Sequence, residues 1–323
     1  MRDPLPAVLL LLTLACPLHA EPPRASATFS VPDRELPARL VLVAYGDMRF
    51  TDTAETAASN PAARQALVVK IAAEKPAAIF INGDITWHGI DSDYAVYRDE
   101  TRPWRTRHLR VYPALGNHEF SACLPEVCLE RWWSAFPQLR GRRWYSVAIG
   151  TRAVSMQLDS DASLLPGSAQ RIWFEEQVAG LDSAVRLVLI IMHHPPMADL
   201  QTSKQPDHNP RPNERALAEY LQTVAPRSAA HFVVVAGHIH NYERFAEDGV
   251  VYLVSGGGGA VPYDVDRTPS DQYQSADFPN YHYLRIELNG DRVVGEMIRL
   301  DDYAASAPRR WQTRDRFELS LRP

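Results

Sequence analysis

The chain has 323 residues, of which 46% are hydrophobic and 23% charged, and a formal net charge of −5. Such a chain is long enough for one large α/β domain or two small ones, and its composition is that of an ordinary globular protein. The mildly acidic balance excludes the basic footprint of a nucleic-acid binder.

Arg2 precedes an apolar run at 7–15, which is followed by Leu18-His19-Ala20. A positive start, an apolar core too short to span a bilayer and a small residue at the cut read as a secretory signal over 1–20. The expected location is therefore secreted or periplasmic, with lipoprotein anchoring through Cys16 as the alternative. No later stretch is long and apolar enough to be a transmembrane span. Removal of the signal leaves Cys123 and Cys128. In an oxidising compartment two nearby cysteines are expected to form a small loop disulfide; half a zinc ribbon would need a second pair.

Residues 21–38 read as an irregular lead-in, 39–302 as one domain and 303–323 as a C-terminal extension. The apolar run at 40–44 is a buried strand that ends at Gly46-Asp47-Met48-Arg49. Asn60-Pro61 supplies a cap residue and a first-turn proline, and so opens a helix that stops near Lys75-Pro76. A second strand at 78–81 ends at Asn82-Gly83-Asp84, and a third at 109–115 ends at Gly116-Asn117-His118-Glu119. Short strands at 145–149 and 152–158 precede a helix capped by Ser168. The apolar run at 187–192 ends at His193-His194. Beyond a Pro- and Asn-rich loop and a helix at 213–224, the β-branched run 233–235 ends at Gly237-His238-Ile239-His240. A strand at 250–254 leads into Ser255 and four glycines, and Asn289-Gly290 turns a terminal hairpin.

Ligand sites in α/β sheets collect beyond the carboxyl ends of strands. Five strand ends here carry Asp, Asn or His, which together suit a polynuclear metal site. Each residue alone has a plainer reading: Asp47 and Asp84 as helix caps, Asn117 as a turn residue, His118 as a loop histidine. Read together, Gly46-Asp47, Gly83-Asp84, Gly116-Asn117-His118-Glu119, His193 and Gly237-His238-Ile239-His240 resemble the calcineurin-like metallophosphoesterase superfamily. Gly237–Arg244 and Val254–Gly259 look most like its purple acid phosphatase branch.

The resemblance covers roughly 40–300 and implies a four-layer α/β/β/α sandwich with the site at the carboxyl ends of the strands. It further implies two divalent or trivalent ions (Fe, Mn or Zn), with Asp84 bridging them. Asp47 and His240 would serve the first ion, and Asn117, His193 and His238 the second. Two such ions hold the phosphoryl oxygens and the attacking hydroxide, so no protein nucleophile is required. His118 would protonate the leaving oxygen or bind a phosphoryl oxygen. The implied activity is an acid phosphatase-like hydrolysis of small-molecule phosphomonoesters. Phosphodiester or pyrophosphate cleavage, or metal and phosphate binding without turnover, are the alternatives.

Two positions depart from the family pattern. Where the superfamily carries a histidine, two residues after the first Asp, this chain has Arg49. Where purple acid phosphatases carry a ligand tyrosine, it has Trp87. The first ion would then keep only Asp47, Asp84 and His240 and be held weakly. Arg49 either clamps phosphate or turns away to pair with an acid such as Asp52. His88 is a possible substitute ligand. His194 is expected to point away from His193 toward the rim, His208 to sit in a solvated loop or, as the alternative, to reach substrate, Glu119 to orient neighbouring groups, and Arg244 to anchor its turn through an ion pair.

Overall fold

The computed structural model describes residues 26–200, 208–290, 292–304 and 308–320. The expected signal segment, Cys16 and part of the loop after His194 lie outside the described residues. The chain runs β1 (Phe29–Val31), β2 (Leu40–Tyr45), α1 (Pro61–Glu74), β3 (Ala78–Asn82), α2 (Asp91–Glu100), α3 (Arg102–Arg105), β4 (Val111–Ala114) and α4 (Pro125–Ala135). It continues with β5 (Tyr145–Ile149), β6 (Ala153–Gln157), α5 (Ala169–Ala179), β7 (Leu187–Ile191), α6 (Pro212–Val224), β8 (His231–Ala236), β9 (Tyr242–Glu247) and β10 (Val250–Ser255). β11 (His282–Asn289), β12 (Arg292–Leu300) and β13 (Trp311–Ser320) complete it.

Two sheets result. One has seven strands in the order β1-β5-β6-β7-β8-β10-β9, the other six in the order β13-β12-β11-β2-β3-β4. Parallel pairing joins β2, β3 and β4 in one sheet and β6, β7, β8 and β10 in the other. Within each parallel set the carboxyl ends of the strands therefore emerge together.

The layering follows from the side-chain period of two. In β7, Leu187, Leu189 and Ile191 join the core shared with the six-stranded sheet, while Val188 and Ile190 join Phe174, Leu217 and Leu221 from α5 and α6. A strand buried on both faces needs an unbroken apolar run, and β7 has one. On the far side, Leu67, Val68 and Ile71 of α1 pack into the core that holds the six-stranded sheet. The result is the mixed α/β sandwich of two sheets and covering helices expected from the sequence. α1 starts as anticipated: the Asn60 side chain accepts the Ala63 N–H, and Lys75 ends the helix in a left-handed conformation at φ 51°. Cys123 and Cys128 form a disulfide.

Two strands lie outside the limits 39–302 read from the sequence. β1, within the presumed irregular lead-in, pairs with β5, and β13, within the presumed extension, pairs with β12 along its whole length. β13 is anchored by Asp315, which accepts from the Arg244 guanidinium at 2.6 and 3.0 Å and from the Tyr242 hydroxyl at 2.8 Å. That is the ion pair expected of Arg244, with a partner the sequence did not indicate.

Candidate metal centre

The six-stranded sheet supplies Asp47, Asp84 and Asn117 from just beyond β2, β3 and β4. The seven-stranded sheet supplies His193, His238 and His240 from beyond β7 and β8. Carboxylates and imidazoles thus meet across the seam between the sheets. The backbone there is unusual: Asp47, Arg49, Asp84 and His238 have φ of 59°, 50°, 51° and 70°. Left-handed conformations in non-glycine residues cost free energy and gather at functional sites. The adjoining glycines are required by contact, since a Cβ on Gly237 would stand 2.4 Å from Asp47 Oδ2 and one on Gly83 2.6 Å from His193 Nδ1.

One position is fully furnished. His193 Nε2 lies 2.9 Å from Asn117 Oδ1 and 3.3 Å from Asp84 Oδ1. His238 Nδ1 lies 3.2 Å from Asn117 Oδ1 and 3.3 Å from His193 Nε2. His193 Nδ1 donates to the Asn82 carbonyl at 3.0 Å, which leaves Nε2 without a proton. Burial, before any other influence, holds His193 and His238 below the usual histidine range, so both rings are neutral. Lone pairs therefore converge with no proton between His193 Nε2 and its oxygen neighbours, and a cation relieves that repulsion. Donors about 2.1 Å from a shared ion stand about 3.0 Å apart at right angles and about 3.4 Å apart at tetrahedral angles. The observed separations fit a metal of the kind that takes nitrogen and oxygen ligands together.

The neighbouring position is poorer. His240 Nδ1 donates to the Val261 carbonyl at 2.6 Å, and its buried Nε2 has no hydrogen-bond partner. Nε2 faces Asp47 Oδ1 at 3.5 Å. Asp47 is buried and accepts the His238 N–H at 3.1 Å through both oxygens. Burial, with Asp84 beside it, pushes the Asp47 carboxyl well above the usual carboxylate range. The ligand atoms of Asp47, Asp84 and His193 all lie within 4.8 Å of one another. Arg49, however, occupies the remaining oxygen of Asp84, with Nε and Nη2 at 3.4 and 3.3 Å from Oδ2. Burial opposes ionisation of Asp84, but His193, His118 and Arg49 hold its carboxyl below the ordinary range. Of the three, the guanidinium is the one that stays charged at neutral pH.

Around these ligands, His118 donates Nδ1–H to the Trp87 carbonyl at 2.7 Å and stacks on the Trp87 ring at 4.6 Å and 19°. Its Nε2 is thereby presented to the site, 3.9 Å from Asp84 Oδ2. The Arg49 guanidinium lies 4.9 Å from the Trp87 ring centroid, so Trp87 carries both groups. Glu119 holds the loop together: its carboxylate accepts the N–H groups of Asp84, Ile85, Thr86 and Gly116 at 2.8–3.1 Å. Burial, then Asp84, push its carboxyl up to about 8, while those backbone donors pull it down.

All the anticipated ligands therefore converge, and Arg49 and His118 stand beside them. Three expectations change. Arg49 pairs with Asp84, not with Asp52. His88 lines a cavity with Asp93 and Glu100 and belongs to neither ligand group. His194 does not point away: its ring lies 4.3 Å from that of His238 because Ser160 takes both its N–H and its Nδ1, at 3.0 and 2.8 Å. His208 also reaches the rim, 4.7 Å from the His238 ring and stacked on Tyr263 at 5.0 Å. Three orienting groups escape sequence reasoning: the carbonyls of Asn82 and Val261, and Tyr263, whose hydroxyl donates to the His238 carbonyl at 2.6 Å. Backbone carbonyls leave no sequence signal, and nothing distinguishes Tyr263 from the other aromatic residues of its loop.

Fold and ligand arrangement together define a sandwich with a metal-ligating seam at its parallel strand ends. The chain belongs to the calcineurin-like phosphoesterase family, whose model matches residues 42–242. Several solved structures share the fold. The purple acid phosphatase PPD1 from yellow lupin (Lupinus luteus) seeds is 16% identical, with a TM-score of 0.69 over 92% of this chain and 55% of that one. GAP50, described as the anchor in the inner membrane complex of Plasmodium, is 13% identical, with a TM-score of 0.61 over 88% of this chain and 90% of that one. A dimetal phosphatase from Danio rerio is 15% identical, with a TM-score of 0.53 over 88% of this chain and 99% of that one. This chain thus spans 55% of the length of the lupin protein. Identities this low speak to fold alone. No curated protein sequence matches the chain. Among the described residues, no helix is long and apolar enough to cross a membrane.

Proposed function

We propose that the protein is an exported metal-dependent phosphoesterase that hydrolyses small-molecule phosphomonoesters at the seam between its sheets. The observation that carries this reading is the convergence of His193 Nε2, His238 Nδ1, Asn117 Oδ1 and Asp84 Oδ1 with separations of 2.9–3.3 Å. When bound, metal ions there would polarise the phosphoryl oxygens and supply an activated water. Asp84 joins the two ligand positions, with Asp47 and His240 on the first side and Asn117, His193 and His238 on the second. His118, steadied by Trp87, presents Nε2 toward the leaving oxygen, where the doubly protonated ring would donate. Arg49 stands beside Asp84 at the site, and a guanidinium suits phosphate through paired N–H donors. The leader read over 1–20 supports export to the periplasm or beyond.

The test is phosphate release from p-nitrophenyl phosphate, set against release of p-nitrophenol from its bis-ester, with Mn, Fe or Zn supplied. Preferential turnover of the monoester is expected. Preference for the bis-ester would move the assignment to a phosphodiesterase on the same residues.

A second reading, a metal- and phosphate-binding protein without turnover, is favoured by one observation: Arg49 covers Asp84 Oδ2. Phosphate binding with no hydrolysis under any of the three metals would establish it.

A further inference from the structure

We infer that this centre holds one tightly bound ion, on the His193 side, and that the Arg49 guanidinium takes the place of the ion on the Asp47 side as a cation built into the chain. The inference rests on the phosphoesterase reading above and concerns the make-up of the same site.

A catalytic metal site ordinarily draws three ligands from the protein. On the His193 side the supply is ample, with two imidazoles, the Asn117 amide oxygen and Asp84 Oδ1. On the Asp47 side the candidates are the Asp47 carboxylate, His240 Nε2 and Asp84 Oδ2. Arg49 holds the third of these, and without it two ligands remain, too few for tight binding. The residue that would ordinarily add a ligand from this loop is Arg49 itself, and a guanidinium cannot give up its proton to become one.

Arg49 is also fixed where it stands. Its backbone N–H donates to the Asp84 carbonyl at 3.0 Å, and its left-handed φ of 50° aims the side chain back over the loop. Trp87 lies beneath the guanidinium at 4.9 Å, and the Arg49 side chain is only 14% exposed. A ligand tyrosine at position 87 would serve a second ion, whereas the indole found there offers a face that attracts a cation. Both departures from the family pattern thus act in one direction. They remove ligands for a metal and install and seat a positive charge. A buried carboxylate pair such as Asp47 and Asp84 needs positive charge beside it, and one ion together with one guanidinium provides it.

The experiment is a metal count with a binding titration. Full-length wild-type protein is purified, desalted and analysed by mass spectrometry for bound metal. Metal-free samples of wild type, Arg49→Ala, Arg49→His and Asp47→Asn are then titrated calorimetrically with Mn²⁺, with circular dichroism to establish folding. One ion per wild-type chain is expected, any second Mn²⁺ binding at least about tenfold more weakly. Arg49→Ala, by freeing Asp84 Oδ2, should strengthen the second event by at least about tenfold, and Arg49→His should bring the count to two. Asp47→Asn should keep the first event and lose the second. Two ions of similar affinity in wild type would overturn the inference and leave the phosphoesterase reading standing. Failure of wild type to bind any of Mn, Fe or Zn would overturn both. Should the Arg49 variants not fold, the wild-type count and Asp47→Asn still decide.

Discussion

The two halves of the centre draw on the same kinds of residue and stand within a few ångströms of each other, yet they are furnished unequally. On the His193 side two donors have a further contact: the Asn82 carbonyl fixes the His193 ring, and the Asp47 carboxylate takes the His238 backbone N–H. On the His240 side one imidazole nitrogen has no partner and the shared carboxylate is engaged by an arginine. On the inference above, a firmly held ion belongs on the His193 side. The His240 side is where the sequence departs from the motifs it resembles, at Arg49 and Trp87.

The sharpest way to break this comparison is to remove one ligand from each half. His193→Ala should release the bound metal and lower kcat/KM on the order of 10³-fold, since a coordinated ion contributes several kcal/mol to the transition state. His240→Ala should keep the ion and lose no more than about tenfold in kcat/KM. Equal losses in rate and in metal content would erase the asymmetry.

His118→Asn comes next. It removes the imidazole Nε2 that faces the site and should lower kcat by roughly 10²-fold while metal content stays at the wild-type level. A variant that loses its metal instead would make His118 part of the coordination. Glu119→Gln weakens the carboxylate that gathers the Asp84 and Gly116 N–H groups. Metal affinity should fall about 10-fold to 100-fold, the usual cost of disturbing the groups that orient ligands. Unchanged affinity in a Mn²⁺ titration would mean that the loop holds its shape without this acceptor. The smallest effect on the centre is expected from Cys128→Ser. Opening the short loop closed by Cys123 and Cys128 should cost about 2 kcal/mol of stability, a fall of a few degrees in Tm. Turnover at 25 °C should not change, and a tenfold drop would tie the loop to the site through Gly89, which neighbours Cys123.

Much of this was legible in the sequence for a physical reason. Strands buried on both faces must be continuous apolar runs, so β2, β3, β7 and β8 announce themselves, and their carboxyl ends mark where polar side chains collect. The candidate ligands could be picked out because each sits within a few residues of such an end, while their assignment to metal positions came from the family resemblance. β13 was hidden for the opposite reason. As an edge strand with exposed faces it carries Arg314, Asp315, Arg316 and Glu318, charges that discourage further pairing and mask the alternation. β1 is too short, at three residues, to show a pattern. Within the site, the pairing of Arg49 with Asp84 depends on where two loops from neighbouring strands cross, and His194 turns inward because of Ser160, distant in the chain. Contacts of that kind arise from tertiary packing and have no local signature.

The central claim is that a single well-furnished metal position makes this chain a phosphoesterase. It is tested most directly by adding Mn²⁺ stepwise to chelated, metal-free protein while following bound metal and p-nitrophenyl phosphate hydrolysis on the same samples. No hydrolysis is expected without metal, with a rise that is complete at one bound ion per chain. Hydrolysis that persists without metal, or that appears only once two ions are bound, would contradict it.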